Sequence, residues 1–517
     1  MASPWYRRPN DPPPFTLARK LDVKNDVGAA ALFPWDVDDL KMLWDGQLDD
    51  PEHQPAWEAM AARYHGLLAL AVADTVVVVS ALQDSPKAAR RIRLPRKKQN
   101  EKVEPVSCVC WALNTRDLFE PLIVYTAGSL IYIFHLKQNK LVGCLLGHGK
   151  AITSITTHPR HPYLFCTTSR DGTTRIYDLT RTPIQKPNNP PWSSRDPAPS
   201  LAGAAHGLHT TEPEGTGIGR CVAVLVGGRS GGHQAAVLGA SFHPTHPLIA
   251  TCGLDRCVKI WRLPSLEGTM LSREDKPLFS SSVVHKARVM SISWLSQDLL
   301  LSHSAPAVMC RDIREPLRDA IEKNNLYEEP GTMQVWRWLG FNRFFPPNQP
   351  LTQTILRGCA SDYQESASFR VMTSVPLPYP PTSLQCKYFA TDTHDPLVLL
   401  PVRADVRMLN LSLLQPPPPP PFRLGDFEDA DPPGEQGGNG NEGDGGDGGG
   451  GVGGKWQPTL GWELSTDFDA DENVGGGVEP EDSGIEKGDV QVLEMGLEGR
   501  VVVAAAQNIV SIWEMNP

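Results

Sequence analysis

An all-β fold, a seven-bladed propeller, is what this sequence predicts. Three observations carry the prediction: an internal repeat present twice nearly intact, five weaker copies of its central hairpin, and a composition rich in turn formers. The chain has 517 residues, enough for two or three ordinary domains or for one repeat architecture with insertions. It holds 48 Pro and 45 Gly among 40 % hydrophobic and 21 % charged residues. Both turn formers exceed their usual shares of roughly 5 % and 7 %, so much of the chain is turn or linker.

The first strong copy runs from Gly147-His148 through Ile152, Ile155, His158-Pro159, His161-Pro162 and Leu164-Phe165 to Ser169-Arg170-Asp171-Gly172 and Ile176-Tyr177-Asp178. The second runs from Gly232-His233 through Val237, Phe242, His243-Pro244, His246-Pro247 and Leu248-Ile249 to Gly253-Leu254-Asp255 and Ile260-Trp261. In both, the Gly-His histidine precedes the His-Pro turn by ten residues and the Asp precedes the closing aromatic by six. That spacing describes a WD40 blade, in which histidine, a strand hydroxyl, the turn Asp and the closing aromatic satisfy one another inside the sheet. The candidates are His148, Thr173, Asp171 and Tyr177 in the first copy, and His233, Asp255 and Trp261 in the second. A lone blade would leave both faces wet, so several are required.

Taken in order, hairpins of apolar strand, small-residue turn and second strand are expected at Leu67–Leu82, Leu122–Phe134, Leu164–Asp178, Leu248–Trp261, Leu299–Cys310, Leu397–Leu409 and Val501–Trp513. The fifth has His285 but only Cys310 or Arg311 where an aromatic is usual. Because the last hairpin ends near the C-terminus, the outer strand of the final blade, 489–517, is expected from Phe15–Leu21, after a loose segment 1–14. Propeller 15–414 is expected to carry a basic loop at 84–104, a Pro/Gly-rich insertion at 181–219, and an aromatic-rich insertion at 313–350 opening on a short helix, Glu315–Tyr327. The five rings there, Trp336, Trp338, Phe341, Phe344 and Phe345, are expected to cover a blade edge, with a docking loop as the alternative. A Pro-rich, then Gly-rich and acidic, disordered insertion is expected at 415–488.

Charge is distributed unevenly. Residues 423–489 hold 18 Asp/Glu against 3 Lys/Arg, a net of −15, so the rest of the chain, which is −10 overall, carries +5. Eight Lys/Arg fall within 87–102, and Arg90, Arg91, Arg93, Arg96, Lys97 and Lys98 form a patch suited to nuclear import or nucleic-acid contact, or else a solvated basic loop. No stretch has the roughly 20 apolar residues of a membrane helix, so no membrane partner is expected. Residues 1–15 lack the apolar core of a signal peptide. The ten Cys show no paired framework, which fits reduced thiols. Phosphate loop, nucleophile elbow and His-Glu-x-x-His patterns are absent from the sequence. The paired histidines His158/His161 and His243/His246 read as turn structure, not as metal ligands, and Cys108 and Cys110 lack a second pair to complete a zinc site. Neither enzyme activity nor a cofactor is expected, and function would lie on the propeller's faces as binding.

The run Gly147-His148-Gly149-Lys150-Ala151-Ile152, with His158-Pro159-Arg160 and Ser169-Arg170-Asp171, resembles the third-blade region of the extra sex combs/EED family. So does Thr251-Cys252-Gly253-Leu254-Asp255-Arg256-Cys257-Val258-Lys259-Ile260-Trp261. The stretch from His285 through Trp294-Leu295 to Leu299-Leu300-Leu301-Ser302 is similar to that family's following blade. The resemblance implies a nuclear, non-enzymatic WD40 subunit of Polycomb repressive complex 2. One face would grip the SET-domain histone methyltransferase subunit alongside other Polycomb subunits, and the other would read a methylated histone H3 tail through an aromatic cage. Carried over, the cage positions fall on Phe33, Ser107, Phe369 and Arg370, with Trp35 and Tyr363 as nearby rings. Two rings of four and a guanidinium imply weak or lost methyl-lysine reading. Two other readings stay open: a generic WD40 interaction scaffold, and a cullin-RING ubiquitin ligase receptor, hinted at by Arg311-Asp312-Ile313-Arg314.

Overall fold

The computed structural model describes residues 4–8, 11–82, 89–95, 104–114, 119–186, 213–227, 231–264, 266, 268, 271–311, 325–347, 360–377, 386–391, 394–414, 461–465 and 489–516. Their strands make seven sheets of four or five strands and one two-stranded ribbon. Each sheet is a blade whose first strand lies at the centre: Val27–Leu32, Val106–Leu113, Ile152–Thr157, Val237–Phe242, Val289–Trp294, Lys387–Thr391 and Val490–Gly496. Residues from all seven line one central channel of about 400 Å³. The ring is a closed all-β propeller.

Blades stack on both faces, which explains the unbroken apolar strands Leu67–Val72 and Thr75–Ser80. Val27, Leu68 and Leu70 of blade 1 pack with Val501, Val503, Val510 and Ile512 of blade 7 in one buried cluster. At about 25 cal/mol per Å² of apolar surface, such inter-blade clusters are what holds separate sheets in a ring. The outer strand of blade 7 is Phe15–Asp22, antiparallel to Ile509–Met515 with Leu17 opposite Trp513.

In six of the seven expected hairpins the second and third strands of a blade are found where the alternation puts them. The fifth differs. Ala307–Cys310 leaves the blade and pairs with Leu326–Glu329 in the ribbon, and the third strand of blade 5 is Thr332–Trp338. Trp336 lies opposite Leu300 and closes the blade, a place Cys310 could not fill. Blade 5 is therefore interrupted at 305–331 and again at 339–368, instead of once at 313–350. The expected helix 315–327 lies mostly outside the described residues, and its described end is strand.

Other boundaries shift as well. The basic stretch 84–104 contains the outer strand of blade 1, Arg90–Arg93. Within 181–219, Gly215–Gly217 adds a fifth strand to blade 2, and a Cβ on Gly217 would stand 1.9 Å from the Val142 carbonyl oxygen, so only glycine fits. Within 415–488, Gly461–Leu464 forms the outer strand of blade 6. In segment 1–14, Trp5 packs edge-on against Phe15 and Trp462, and the Trp462 indole donates to the Asp11 carbonyl. The described residues 4–8 and 11–14 of that segment thus pack against blades 6 and 7.

Candidate functional site

The ring has two faces and a basic flank. The upper face is where the first strands begin, and the lower face is where they end.

In blade 4 the Trp261 indole donates to Thr251 Oγ1 at 2.8 Å, Thr251 meets His233 Nε2 at 2.8 Å, and His233 Nδ1 meets Asp255 at 3.0 Å. In blade 3 His148 lies 2.7 Å from Thr167 Oγ1 and 3.0 Å from Asp171, whose carboxylate also takes Thr173 Oγ1 at 2.7 Å. Tyr177 stacks on Phe165, centroids 5.1 Å apart, and its hydroxyl finds no hydrogen bond among the described residues. Blade 5 repeats the chain with Trp336, Ser302 and His285, and puts Thr332 in place of the Asp. The hub is a second-strand hydroxyl two residues past the partner of the closing aromatic: Thr167, Thr251 and Ser302. Sequence reasoning missed these hubs, although that offset would have found them.

Burial alone would raise the Asp171 carboxyl, but His148, Thr173 and the Gly149 N–H hold it well below the ordinary value. Asp255 is lowered in the same way: His233, the Gln234 N–H and Lys259 overcome the burial penalty. The His-Pro histidines serve the turns. His158 Nδ1 accepts the Arg160 and His161 N–H groups at 3.1 Å, and His243 Nδ1 accepts those of Thr245 and His246. Among the described residues no group of three His, Cys, Asp or Glu could hold a metal ion. No helix among them is long and apolar enough to cross a membrane.

The cage positions do not meet. Ser107 is the second residue of its strand, and the preceding Val106 N–H donates to Ala73 in the turn between Leu67–Val72 and Thr75–Ser80, which sets Ser107 on the upper face. The Phe33 N–H donates to Leu67 at the far end of that hairpin, so Phe33 belongs to the lower face. It is 1 % exposed there, edge-on to Trp35 and Trp111. Phe369 and Arg370 lie on the outer strand of blade 5, Phe369 against Phe279 and Trp336 and Arg370 exposed. Trp35 shares the buried cluster of Phe33, and Tyr363 lies beside Lys276. Around Ser107 the upper mouth is a cavity of about 1130 Å³ with no Phe, Tyr or Trp in its described lining, and its His233 imidazole is held by Asp255 and Thr251 of blade 4.

Two segments of the chain itself cover part of the lower face. Residues 33–66, with a helix at Gln54–Tyr64, join the first and second strands of blade 1. They reach blade 3, where the Trp44 N–H donates to Arg160 at 2.7 Å and Asp45 pairs with Arg160 at 3.3 Å. This segment gave no repeat signal in the sequence. Beyond Trp338, Phe341 and Phe345 pack on His246 of blade 4, with centroids 5.0 and 4.9 Å apart. Trp336 and Trp338 are core residues of blade 5, so the aromatic cluster is consumed within the fold.

On the flank, Arg90, Arg91 and Arg93 are exposed along the outer strand of blade 1, with Ile92 buried between them. Arg90 donates to the Leu136 carbonyl of blade 2. Arg96, Lys97 and Lys98 lie outside the described residues. Arg311 directly follows the ribbon strand Ala307–Cys310, away from any blade-closing position, and 312–314 lie outside the described residues, so the ligase-receptor hint loses its structural setting.

The family model "WD domain, G-beta repeat" matches residues 139–178 and 219–262. The chain is similar to Polycomb group protein FIE1 of Zea mays, 25 % identical over 202 residues, 39 % of this chain and 34 % of the relative. It is 26 % identical over 200 residues to Polycomb protein EED of Chaetomium thermophilum, 38 % of this chain and 28 % of that one. To Polycomb protein esc of Drosophila melanogaster it is 22 % identical over 218 residues, 39 % and 42 % of the two chains. The matched region thus spans well under half of the length of these relatives. A chain in the crystal structure of the Chaetomium thermophilum Polycomb repressive complex 2 superposes with a TM-score of 0.55 over 97 % of both chains at 15 % identity, a likeness of fold.

Proposed function

Taking the chain as a divergent relative of the EED, esc and FIE Polycomb proteins, we propose that it is a non-enzymatic WD40 scaffold in a nuclear histone H3 lysine methyltransferase like Polycomb repressive complex 2. The observation that carries this reading is the match to Polycomb WD40 proteins across about 200 residues, in a chain whose fold closes as the same propeller. The proposed partners are a SET-domain catalytic subunit and other Polycomb subunits. A partner helix on the lower face would meet residues 33–66 and Phe341–Phe345, not bare blade loops, and would have to fit between them.

Methyl-lysine reading at the upper mouth is weak or lost in this proposal. A cage holds a quaternary ammonium by ring faces, and the described lining offers Ser107, Ile152, Leu238 and Met290 in place of rings. The basic strand Arg90–Arg93 suits nuclear import or contact with a phosphate backbone. Deleting the protein from its own cells tests the role. Bulk histone H3 lysine methylation of the repressive type should fall, and unchanged methylation would contradict the proposal.

A further inference from the structure

We propose that the upper mouth is a docking site for an acidic peptide segment. The mouth opens over blades 2 to 5, and Lys150, Arg170 and Arg288 share its wall. All three side chains are exposed, and each sits at a position fixed by the propeller. Lys150 leads into the first strand of blade 3, Arg170 occupies that blade's second turn, and Arg288 precedes the first strand of blade 5. No described carboxylate pairs with any of them in the salt bridges of the fold. The lining holds two carboxylates. Asp171 is turned into blade 3 by His148, Thr173 and the Gly149 N–H, so Glu104 is the carboxylate left to face a ligand, and the three cations outnumber the two carboxylates by one.

Three like charges around one concavity raise the local potential for an anion and repel a cation, because the low-dielectric walls focus the field. The same mouth is therefore mismatched to a methylated lysine on two counts, a described lining without Phe, Tyr or Trp and a like-charged rim, and matched to closely spaced Asp or Glu side chains. Its size also favours a peptide. About 1130 Å³ exceeds the roughly 300–1,000 Å³ of small-molecule pockets. The uncharged wall of Ile152, Leu238 and Met290 gives the stem of such a peptide apolar contact while its carboxylates meet the rim. This inference stands on the cavity alone and does not depend on the Polycomb reading.

Fluorescence anisotropy of a labelled oligo-glutamate peptide against the full chain tests it, with an oligo-lysine peptide of equal length beside it. Saturable binding of the acidic peptide alone, weakened by salt, is expected. The double variant Arg170→Glu, Arg288→Glu should lose about tenfold or more in affinity, with an unchanged melting temperature, since both side chains are solvent-facing. Glu104→Gln should tighten binding. Absence of binding, equal binding to the double variant, or equal binding of the lysine peptide would overturn the proposal. So would binding that emerges only when Asp467, Asp469, Asp471 and Glu472 are replaced by their amides, which would give the mouth to the chain's own acidic segment instead of a partner.

Discussion

Trp261 and Tyr177 hold equivalent places in consecutive blades and differ in one hydrogen bond. The Trp261 indole reaches Thr251, whereas the Tyr177 hydroxyl reaches nothing among the described residues. Removing a made bond costs about 1 kcal/mol, and a buried polar atom left unmade is itself a cost of about 1–3 kcal/mol. Trp261→Phe should therefore destabilise the fold by a few kcal/mol, with the lost ring volume added to the lost bond. Tyr177→Phe should be neutral or slightly stabilising, and chemical denaturation of both variants checks the contrast. His303 invites the same logic. It is buried in the second strand of blade 5, neither ring nitrogen has a described partner, and burial lowers its pKa to about 4. Burial likewise lowers His243 to about 4 and His285 to about 3 from the ordinary 6.5.

The unfolded chain takes up these protons first, so the contribution of the three histidines is whole above about pH 6.5 and is lost as the pH falls toward those values. Asp171 and Asp255, held below their ordinary 3.8, stay ionised in the fold, and their contribution is lost only at still lower pH. The melting temperature should drop steadily on acidification from about pH 7 to pH 5, and His303→Leu should shrink that drop. A melting temperature flat over this range would contradict the assignment of neutral, buried imidazoles.

At the scale of elements, the strand Phe15–Asp22 closes the ring by pairing with Ile509–Met515, so both ends of the chain meet in blade 7. Deleting residues 1–22 bares the ladder edge of Ile509–Met515 and the apolar side of Trp513. The shortened chain should melt well below the full one and associate through the open edge, as size-exclusion chromatography would read. An unchanged monomer with an unchanged melting temperature would contradict the closure. Strand pairs joined by short turns were legible in the sequence because alternation and turn residues are local signals, as at Leu397–Val402 and Val501–Ala506. Blade 5 misled because the chain leaves after Ser304 and returns only at Thr332, and Ala307–Cys310 imitates the missing strand. The cage positions were misplaced for a related reason. Phe33 follows the end of one inner strand and Ser107 lies near the start of the next, so they sit at opposite ends of the channel, a distinction that linear alignment does not carry. Outer strands such as Gly461–Leu464 were hidden in a Gly-rich tract whose composition outweighs four residues.

For the whole molecule, the two faces have diverged in character. The lower face is roofed in part by the chain's own segments 33–66 and Phe341–Phe345, and the upper mouth carries Lys150, Arg170 and Arg288 with no Phe, Tyr or Trp among the described residues lining it. An H3-tail peptide bearing trimethyl-lysine should therefore bind no better than its unmethylated counterpart in calorimetric titration, and a clear preference for the methylated form would return a cage to this face. The scaffold role rests on partnership, which affinity purification of the tagged protein from its own cells, followed by mass spectrometry, reads most directly. The account predicts recovery of a SET-domain methyltransferase with other Polycomb subunits. Recovery of ubiquitin-ligase or trafficking components in their place would contradict it and confine the kinship to the fold.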